Sequence, residues 1–228
     1  MNYHRDKDYL ESESLFRNIF KKRFRLIIKL LGGGRVLDIG CSTGVFLDLF
    51  RESGWETWGV EPSSSALVAR KKSHKVVRNV FEKTELPKDY FDLVILNHTL
   101  EHMENPAQVL QKVKIILKKG GVLYLDVPNA GGLGAKLLGK HWPYLLPKEH
   151  KYQFSKQSLS TLLSDADYKI IHFESRSGLF EFANPFLELW QAFVGLKKRF
   201  FTDILTIPYC LVASALQMGD SMSIIARK

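Results

Sequence analysis

The run Val36-Leu37-Asp38-Ile39-Gly40-Cys41-Ser42-Thr43-Gly44 constrains the fold more than any other part of the chain. Val36, Leu37 and Ile39 form an apolar, β-branched stretch that reads as a short buried strand. It ends in a turn carrying Gly40 and Gly44. Beyond Thr43 the apolar residues Val45, Phe46, Leu49 and Phe50 fall at helical spacing. A strand that feeds a glycine-containing turn into a helix is a ligand site in an open α/β sheet. Glycine lets backbone approach a ligand, and the start of the helix offers unpaired N–H groups.

Asp38, just before the turn, discriminates between ligands. A dinucleotide needs G-x-G-x-x-G with its pyrophosphate on the helix N-terminus. The corresponding positions here are Gly40, Ser42 and Val45, so two of the three glycines are absent. A carboxylate facing a pyrophosphate is also repulsive. S-adenosylmethionine carries an ammonium and a sulfonium, so an acid at the strand end helps to bind it. The D-x-G-x-x-x-G form therefore favours S-adenosylmethionine, against a tight strand–helix turn that binds nothing.

The 228 residues allow one large domain with a sizeable core, and 45% hydrophobic with 25% charged residues is ordinary for a soluble globular protein. The two cysteines, Cys41 and Cys210, suggest neither a disulfide framework nor a metal cluster, which fits a reducing compartment. Residues Met1 to Asp8 are polar with no apolar signal core, so the expected location is cytoplasmic. The net charge of +9 gathers at Lys21, Lys22, Arg23 and Arg25, at Arg70 to Lys75, and at Lys197 to Arg199. Such a surface could serve nucleic acid, anionic lipid or an acidic substrate, or be no more than solvated helix faces. No aromatic-interleaved RNA-binding signature accompanies it.

Residues 10 to 31 read as a helix with Leu15, Ile19, Phe20, Phe24, Ile27, Ile28 and Leu31 on one face, stopped by Gly32 to Gly34. It is expected to pack on the sheet edge or to lid the cofactor. Thr57 to Val60 gives a second strand ending at Glu61, 21 residues after Gly40. An acid there can accept both ribose hydroxyls of an adenosine, its two oxygens matching the diol. The competing reading makes Glu61 an acid at a helix N-terminus, with Ser63 as N-cap. Val76 and Val77 suggest a third strand, followed by Glu82 in a loop within reach of an adenine amino group. Phe91 to Leu96 is a strongly apolar fourth strand followed by Asn97-His98-Thr99-Leu100-Glu101-His102. Asn105-Pro106 opens a helix through Leu117, Lys119-Gly120-Gly121 reads as a stop and turn, and Val122 to Val127 is a fifth strand. Strands alternating with helices imply a doubly wound parallel sheet with ligands beyond the carboxyl ends of the strands. That puts Asp38, Glu61, Asn97 and Pro128-Asn129 on one rim.

Val36 to Gly44, Gly59-Val60-Glu61-Pro62, Phe91-Asp92-Leu93-Val94, Leu100-Glu101-His102 and Asn105-Pro106, in that order, resemble class I S-adenosylmethionine-dependent methyltransferases. Pro147-Lys148-Glu149-His150, Phe154-Ser155, Leu159 to Leu163 and Asp167-Tyr168 resemble the small-molecule, ubiquinone-biosynthesis subgroup. The resemblance covers roughly residues 33 to 176. It implies a Rossmann-like, mostly parallel seven-stranded sheet whose last strand is antiparallel. It implies that Asp38, Gly40, Cys41, Ser42 and Gly44 surround the methionine part of the cofactor. Glu61 would hold the ribose, Glu82 or its neighbours the adenine, and Asn97 the sulfur side. Ser42 departs from the family, which often has a third glycine there.

Residues 128 to 154 carry Gly131, Gly132, Gly134 and Gly139 and read as a long, mobile loop, of the kind that is usually functional. Trp142, Tyr144 and Tyr152 bring aromatics to the rim, where they could wall a substrate. His150, with an ordinary pKa of about 6.5, could act as general base, or Glu149-His150 could be a structural pair holding the loop. His102 could react or could support the Leu100 turn. Methyl transfer from a sulfonium is driven largely by placing the nucleophile in line, so neither base is obligatory. No metal is implied by the sequence.

Ser155 caps a helix over Lys156 to Ser164, Tyr168 to Phe173 is a sixth strand and Met222 to Ala226 a seventh. About 45 residues intervene between them, and Ile204 to Gly219 holds no charged residue over 16 positions. That is short of the ~20 residues a spanning helix needs, and Pro208 is expected to interrupt it. The segment could pack as a helical hairpin, dimerise, or lie in a membrane surface with Lys197, Lys198 and Arg199 on anionic headgroups.

The sequence is thus read as one methyltransferase domain over 1–228: an N-terminal helical cap (1–32), a Rossmann-like core (33–178), an apolar helical insert (179–219) and a last strand (220–228). The expected activity moves a methyl group from S-adenosylmethionine to a small or lipid-linked metabolite, releasing S-adenosylhomocysteine. The expected partners are that acceptor, with peripheral membrane contact through 180–219 and a homodimer as further readings. The alternatives are a catalytically silent cofactor-binding module and a nucleic-acid methyltransferase. Against the latter, Asn97-His98-Thr99-Leu100 lacks an Asn/Asp-Pro-Pro-Tyr base-holding motif.

Overall fold

The computed structural model describes residues 13–195 and 199–228. Lys197 and Lys198 of the last basic run, and residues 1–12 of the N-terminal cap, lie outside the described residues. Seven strands form one sheet: β1 (Arg35–Ile39), β2 (Glu56–Val60), β3 (Lys75–Val77), β4 (Phe91–Asn97), β5 (Leu117–Pro128), β6 (Lys169–Arg176) and β7 (Ser221–Arg227). Their spatial order is β3-β2-β1-β4-β5-β7-β6. The first five pair in parallel, and β7 runs antiparallel between β5 and β6. This is the doubly wound, Rossmann-like arrangement expected from the alternation of strands and helices.

The period of two along each strand divides the core between the two faces of the sheet. Val36, Leu93, Ile95, Val122 and Tyr124 face one way, where α1 (Glu13–Ile28), α2 (Val45–Glu52) and α3 (Ser65–Lys71) supply Phe20, Ile27, Phe46, Phe50, Ala66 and Ala69. Leu37, Val94, Leu123 and Leu125 face the other way. There α4 (Pro106–Ile116) and, further along the chain, the helix at Lys156–Asp165 supply Val109, Leu110, Val113, Leu159 and Leu163. Asn105 caps α4 by accepting from the Gln108 N–H at 3.1 Å, with Pro106 in the first turn.

Three expectations change. Lys119-Gly120-Gly121 falls within β5: Leu117 pairs with Phe91 and Val122 with Leu93, so the extra residues between these pairs bulge out of β5 instead of ending it. Residues 128–154 are not loop throughout: α5 (Leu133–Leu138) and a 3-10 turn (Gly139–His141) lie within them. After α6 (Lys156–Asp165), capped by a Ser155–Ser158 capping box, the insert folds as α7 (Pro185–Val194) and α8 (Arg199–Ala215). Pro208 sits inside α8 without ending it, since one lost backbone bond is tolerated within a long helix. Among the described residues no helix is long and apolar enough to cross a membrane.

Candidate functional site

The turn after β1 is held in a conformation that its sequence alone permits. Gly40 (φ +82°) and Gly44 (φ +80°) occupy the left-handed region, and Ser42 does so at φ +45°. A Cβ on Gly40 would stand 2.7 Å from Thr99 Oγ1, whose hydroxyl donates to the Ile39 carbonyl at 3.0 Å. The ends of β1 and β4 are thereby tied together. The turn is closed from the other side by Glu61 at the end of β2. Its Oε2 accepts from the Ser42 N–H at 3.0 Å and its Oε1 from the Ser63 N–H at 2.8 Å. Each oxygen retains a further lone pair. The helix cap after Glu61 is Ser64 rather than the expected Ser63, whose Oγ instead accepts from the Ser65 N–H at 3.1 Å.

A small cleft lies along this turn, lined by Phe20, Asp38, Gly40, Cys41, Ser42, Val45, Phe46 and Asn97. Asp38 is buried, and its Oδ1 has no hydrogen-bond partner. Burial, and then the neighbouring charge of Glu61, pushes its carboxyl up to about 8. Asn97 presents a buried Oδ1 that is likewise unpartnered. Cys41 packs its sulfur where a Cβ on Gly59 would stand, 2.5 Å away, and burial pushes its thiol well up, so it stays protonated. The structure therefore brings Asp38, Gly40, Cys41, Ser42 and Asn97 to one cleft, with Gly44 capping α2 beside it and Glu61 bracing the turn. Glu82 is exposed on a 3-10 turn (Phe81–Lys83) and does not line the cleft.

Sequence reasoning missed part of this lining. Phe20 of α1 stacks on Phe46 of α2, centroids 4.7 Å apart and 12° from parallel, and both wall the cleft. In the sequence these rings read as ordinary core positions; only the docking of α1 turns them toward Asp38. The helix is anchored by Arg23, buried, whose Nε donates to Asp126 Oδ2 at 2.8 Å. Arg176, Tyr124 and Ser223 converge on the same oxygen at 3.1, 2.9 and 2.6 Å. Against a burial that would raise it, the Arg23 and Arg176 guanidiniums hold Asp126 well below the usual carboxylate range. His98 stands 3.4 Å from Asp126 Oδ1 and 3.5 Å from Glu101 Oε1.

The second half of the rim is built around the 3-10 turn Leu100–His102. The Glu101 carbonyl accepts from the Lys151 and Tyr152 N–H groups at 2.9 and 3.2 Å, which pins residues 150–152 to the turn. His102 and His150 meet edge to face with centroids 4.8 Å apart. Glu149 and His150 each tie the loop down by a separate bond: Glu149 is exposed and its carbonyl accepts from His102 Nδ1 at 2.9 Å, while His150 Nδ1 bonds the Tyr144 carbonyl at 2.9 Å. Trp142 is buried and donates its Nε1–H to Asp220 Oδ1 at 3.0 Å, anchoring the segment to the start of β7; Tyr144 leans on its ring. Tyr152 is exposed, stacks on Phe154 and donates to the Glu104 carbonyl. None of the three aromatics lines the cleft at Asp38.

The chain matches a family model described as a methyltransferase domain over residues 12–173. A ubiquinone biosynthesis O-methyltransferase of Rhodopseudomonas palustris is 30% identical over 108 residues, covering 45% of this chain and 43% of that protein. The match therefore spans less than half the length of such curated relatives. An uncharacterised protein of Methanocaldococcus jannaschii is 31% identical over 154 residues, 67% of this chain and 68% of its own length. Among solved structures, a SAM-dependent methyltransferase from Archaeoglobus fulgidus superposes with TM-score 0.63 at 24% identity, covering 93% of this chain and 94% of that one. The [4+2]-cyclase SpnF superposes with TM-score 0.61 at 20% identity, covering 91% and 80%. At these identities the likeness is one of fold.

Proposed function

The chain belongs to the methyltransferase-domain family, and from that premise we propose that it transfers the methyl group of S-adenosylmethionine to a small or lipid-linked metabolite. One observation carries the cofactor reading. Asp38 is a buried acid with an unpartnered oxygen, at the end of β1, facing a cleft and next to a second acid, and it can ionise at neutral pH only against a positive charge. Burying such a group without a counter-ion is costly. A ligand that brings an ammonium and a sulfonium relieves that cost; a phosphate would add to it.

When bound, S-adenosylmethionine supplies an electrophilic methyl carbon on its sulfonium. Asp38 would hold the ammonium, and the backbone of Gly40 to Gly44 would lie against the methionine part. The remaining lone pairs of Glu61 would accept the ribose hydroxyls, and Asn97 Oδ1 would face the sulfur side. Phe20 and Phe46 would exclude water from that side of the cleft. The acceptor would enter from the rim formed by residues 128–154, with Tyr144 and Tyr152 as wall candidates and His102 or His150 to take a proton. Trp142 would hold that segment in place rather than touch the acceptor. The relatives whose name assigns an O-methylation to ubiquinone biosynthesis support a small-molecule acceptor.

The helices α7 and α8 expose Phe186 (83%), Leu205 (82%), Phe201, Trp190 and Val194. Large apolar side chains exposed in this number on two consecutive helices point to an interaction surface. With Lys197 and Lys198 in the connecting segment, it suits an anionic lipid surface on which a lipid-linked acceptor would be met. Co-sedimentation with anionic vesicles, lost in Phe186→Ser/Leu205→Ser, tests that surface; a vesicle-independent dimer that the double variant splits would assign it to self-association instead.

Calorimetry with S-adenosylmethionine and S-adenosylhomocysteine tests the cofactor. Saturable heat is expected from the wild type and a severe loss from Asp38→Ala and Glu61→Ala. No heat from the wild type, or undiminished affinity in both variants, overturns the reading.

A further inference from the structure

We propose that Glu101, His102 and His150 form a binding site for one divalent transition-metal ion at the rim of the sheet. One ligand atom from each of the three lies within 4.8 Å of the others. Glu101 is 1% exposed, and neither of its carboxylate oxygens accepts a hydrogen bond. Its nearest cation-forming group is His98, with Nδ1 at 3.5 Å. A carboxylate held out of water needs a counter-charge.

The two imidazoles are prepared for the same task. His102 Nδ1 lies 2.9 Å from the Glu149 carbonyl and His150 Nδ1 lies 2.9 Å from the Tyr144 carbonyl. A carbonyl only accepts, so each Nδ1 carries a hydrogen, and in the neutral ring the lone pair is then on Nε2. Histidines that bind metals are oriented in this way, one nitrogen donating to a carbonyl and the other turned to the ion. The Lys151 and Tyr152 N–H groups, bonded to the Glu101 carbonyl, fix His150 beside the turn that carries the other two ligands.

The donor set selects the ion. Two imidazoles and one carboxylate, without a thiolate, suit Zn²⁺, Mn²⁺, Fe²⁺ or Co²⁺ rather than Ca²⁺ or Cu⁺. Three protein ligands leave coordination positions open. Donors about 2.1 Å from an ion stand about 3.0–3.5 Å apart, so the triad closes by about an ångström on binding. On the reading that the rim receives a methyl acceptor, an open position would take an acceptor hydroxyl and make it more acidic. The role of the ion rests on that reading, whereas its binding does not.

The test uses the full chain with no histidine tag, dialysed against chelator and then titrated with Co²⁺. Visible ligand-field absorption reports coordination, and equilibrium dialysis with Zn²⁺ gives the stoichiometry. One ion per chain is expected, with affinity lower by about 100-fold or more in Glu101→Gln and in His150→Gln. His102→Gln, at a half-buried position, tests the site where a buried variant fails to fold. Thermal melting and S-adenosylhomocysteine calorimetry run in parallel, so that failure of the cofactor site is seen separately. Less than a third of an ion retained by the wild type, or folded variants that bind Co²⁺ as the wild type does, would show that the triad is a staple between loop and turn and overturn the proposal.

Discussion

Two buried aspartates end neighbouring regions of the sheet and have opposite surroundings. Asp38 on β1 and Asp126 on β5 are both even-numbered positions on the face covered by α1. Asp38 has an unpartnered oxygen, a second acid as its charged neighbour, and a carboxyl pushed up to about 8. Asp126 also has one oxygen that takes no hydrogen bond, but it gathers two guanidiniums and two hydroxyls on the other and is held well below the usual range. The same residue type at the same kind of strand end is structural in one case and kept for a ligand in the other. What separates them is whether the fold supplies the counter-charge. At Asp126 it comes from 103 residues upstream and 50 downstream.

The largest effect should follow from breaking the supplied side. Asp126→Asn leaves Arg23 and Arg176 buried without their carboxylate. Removing one partner of a buried pair costs about 3–5 kcal/mol, a fall in melting temperature of about 10 °C in a chain of this size. Thermal melting followed by circular dichroism measures it. A melting temperature within a few degrees of the wild type would mean that the two guanidiniums are adequately held by Glu174 and Glu181.

The reverse is expected on the other side. Asp38→Asn removes a buried carboxyl that the fold leaves without a counter-charge and holds protonated below about pH 8, so the ligand-free protein should melt no lower than the wild type. Its affinity for S-adenosylmethionine should fall roughly 100-fold, since losing one partner of a buried charge pair costs about 2–5 kcal/mol. Stability and affinity thus separate in opposite directions at the two aspartates. Calorimetry beside melting curves on both variants reads the separation.

The pH dependence sharpens the contrast. Asp38 has a folded pKa near 8 against an ordinary value of 3.8. Between those values the folded chain holds a proton that the unfolded chain has released, so this group lowers stability as pH rises through the window. A cationic ligand needs the carboxylate, so its binding releases that proton. Affinity for S-adenosylmethionine should therefore rise by up to about tenfold per unit as pH increases toward 8, and level off above it. Asp38→Asn should flatten the rise. Calorimetry in buffers of different ionisation heat detects the proton directly, and a flat wild-type profile from pH 6 to 8 would remove Asp38 from cation binding.

The legibility of the sequence divides along the same line. The succession of strands and helices and the β1 turn are local: Val36 to Gly44 states its own geometry through Gly40 and Gly44, and Asp38 and Glu61 lie at strand ends that periodicity locates. The Arg23–Asp126–Arg176 network is not local, and nothing near Arg23 distinguishes it from the surface cations Lys21 and Arg25. Trp142 illustrates the limit on the acceptor side. Its type and place suggest a substrate wall, but the partner that buries it, Asp220, is 78 residues away. Glu101 and His102 were visible as a turn and His150 as a possible base; their convergence depends on backbone bonds from Lys151 and Tyr152 that no spacing encodes.

The smallest effect tests how much of the Asp126 side is charge and how much is hydrogen bonding. The Tyr124 hydroxyl donates to Asp126 Oδ2 at 2.9 Å and lies 2.9 Å from Ser223 Oγ. Burial, together with the Asp126 charge, pushes its pKa upward, so it remains a donor at any working pH. In Tyr124→Phe the hydroxyl leaves altogether, no donor is orphaned, and Asp126 keeps both guanidiniums and Ser223. A loss of about 1 kcal/mol is expected, or about 2–4 °C in melting temperature, with unchanged heat on S-adenosylmethionine binding. A fall as large as that of Asp126→Asn would mean that the hydroxyls, not the guanidiniums, neutralise Asp126, and the distinction between the two aspartates would then rest on hydrogen bonds rather than on counter-charge.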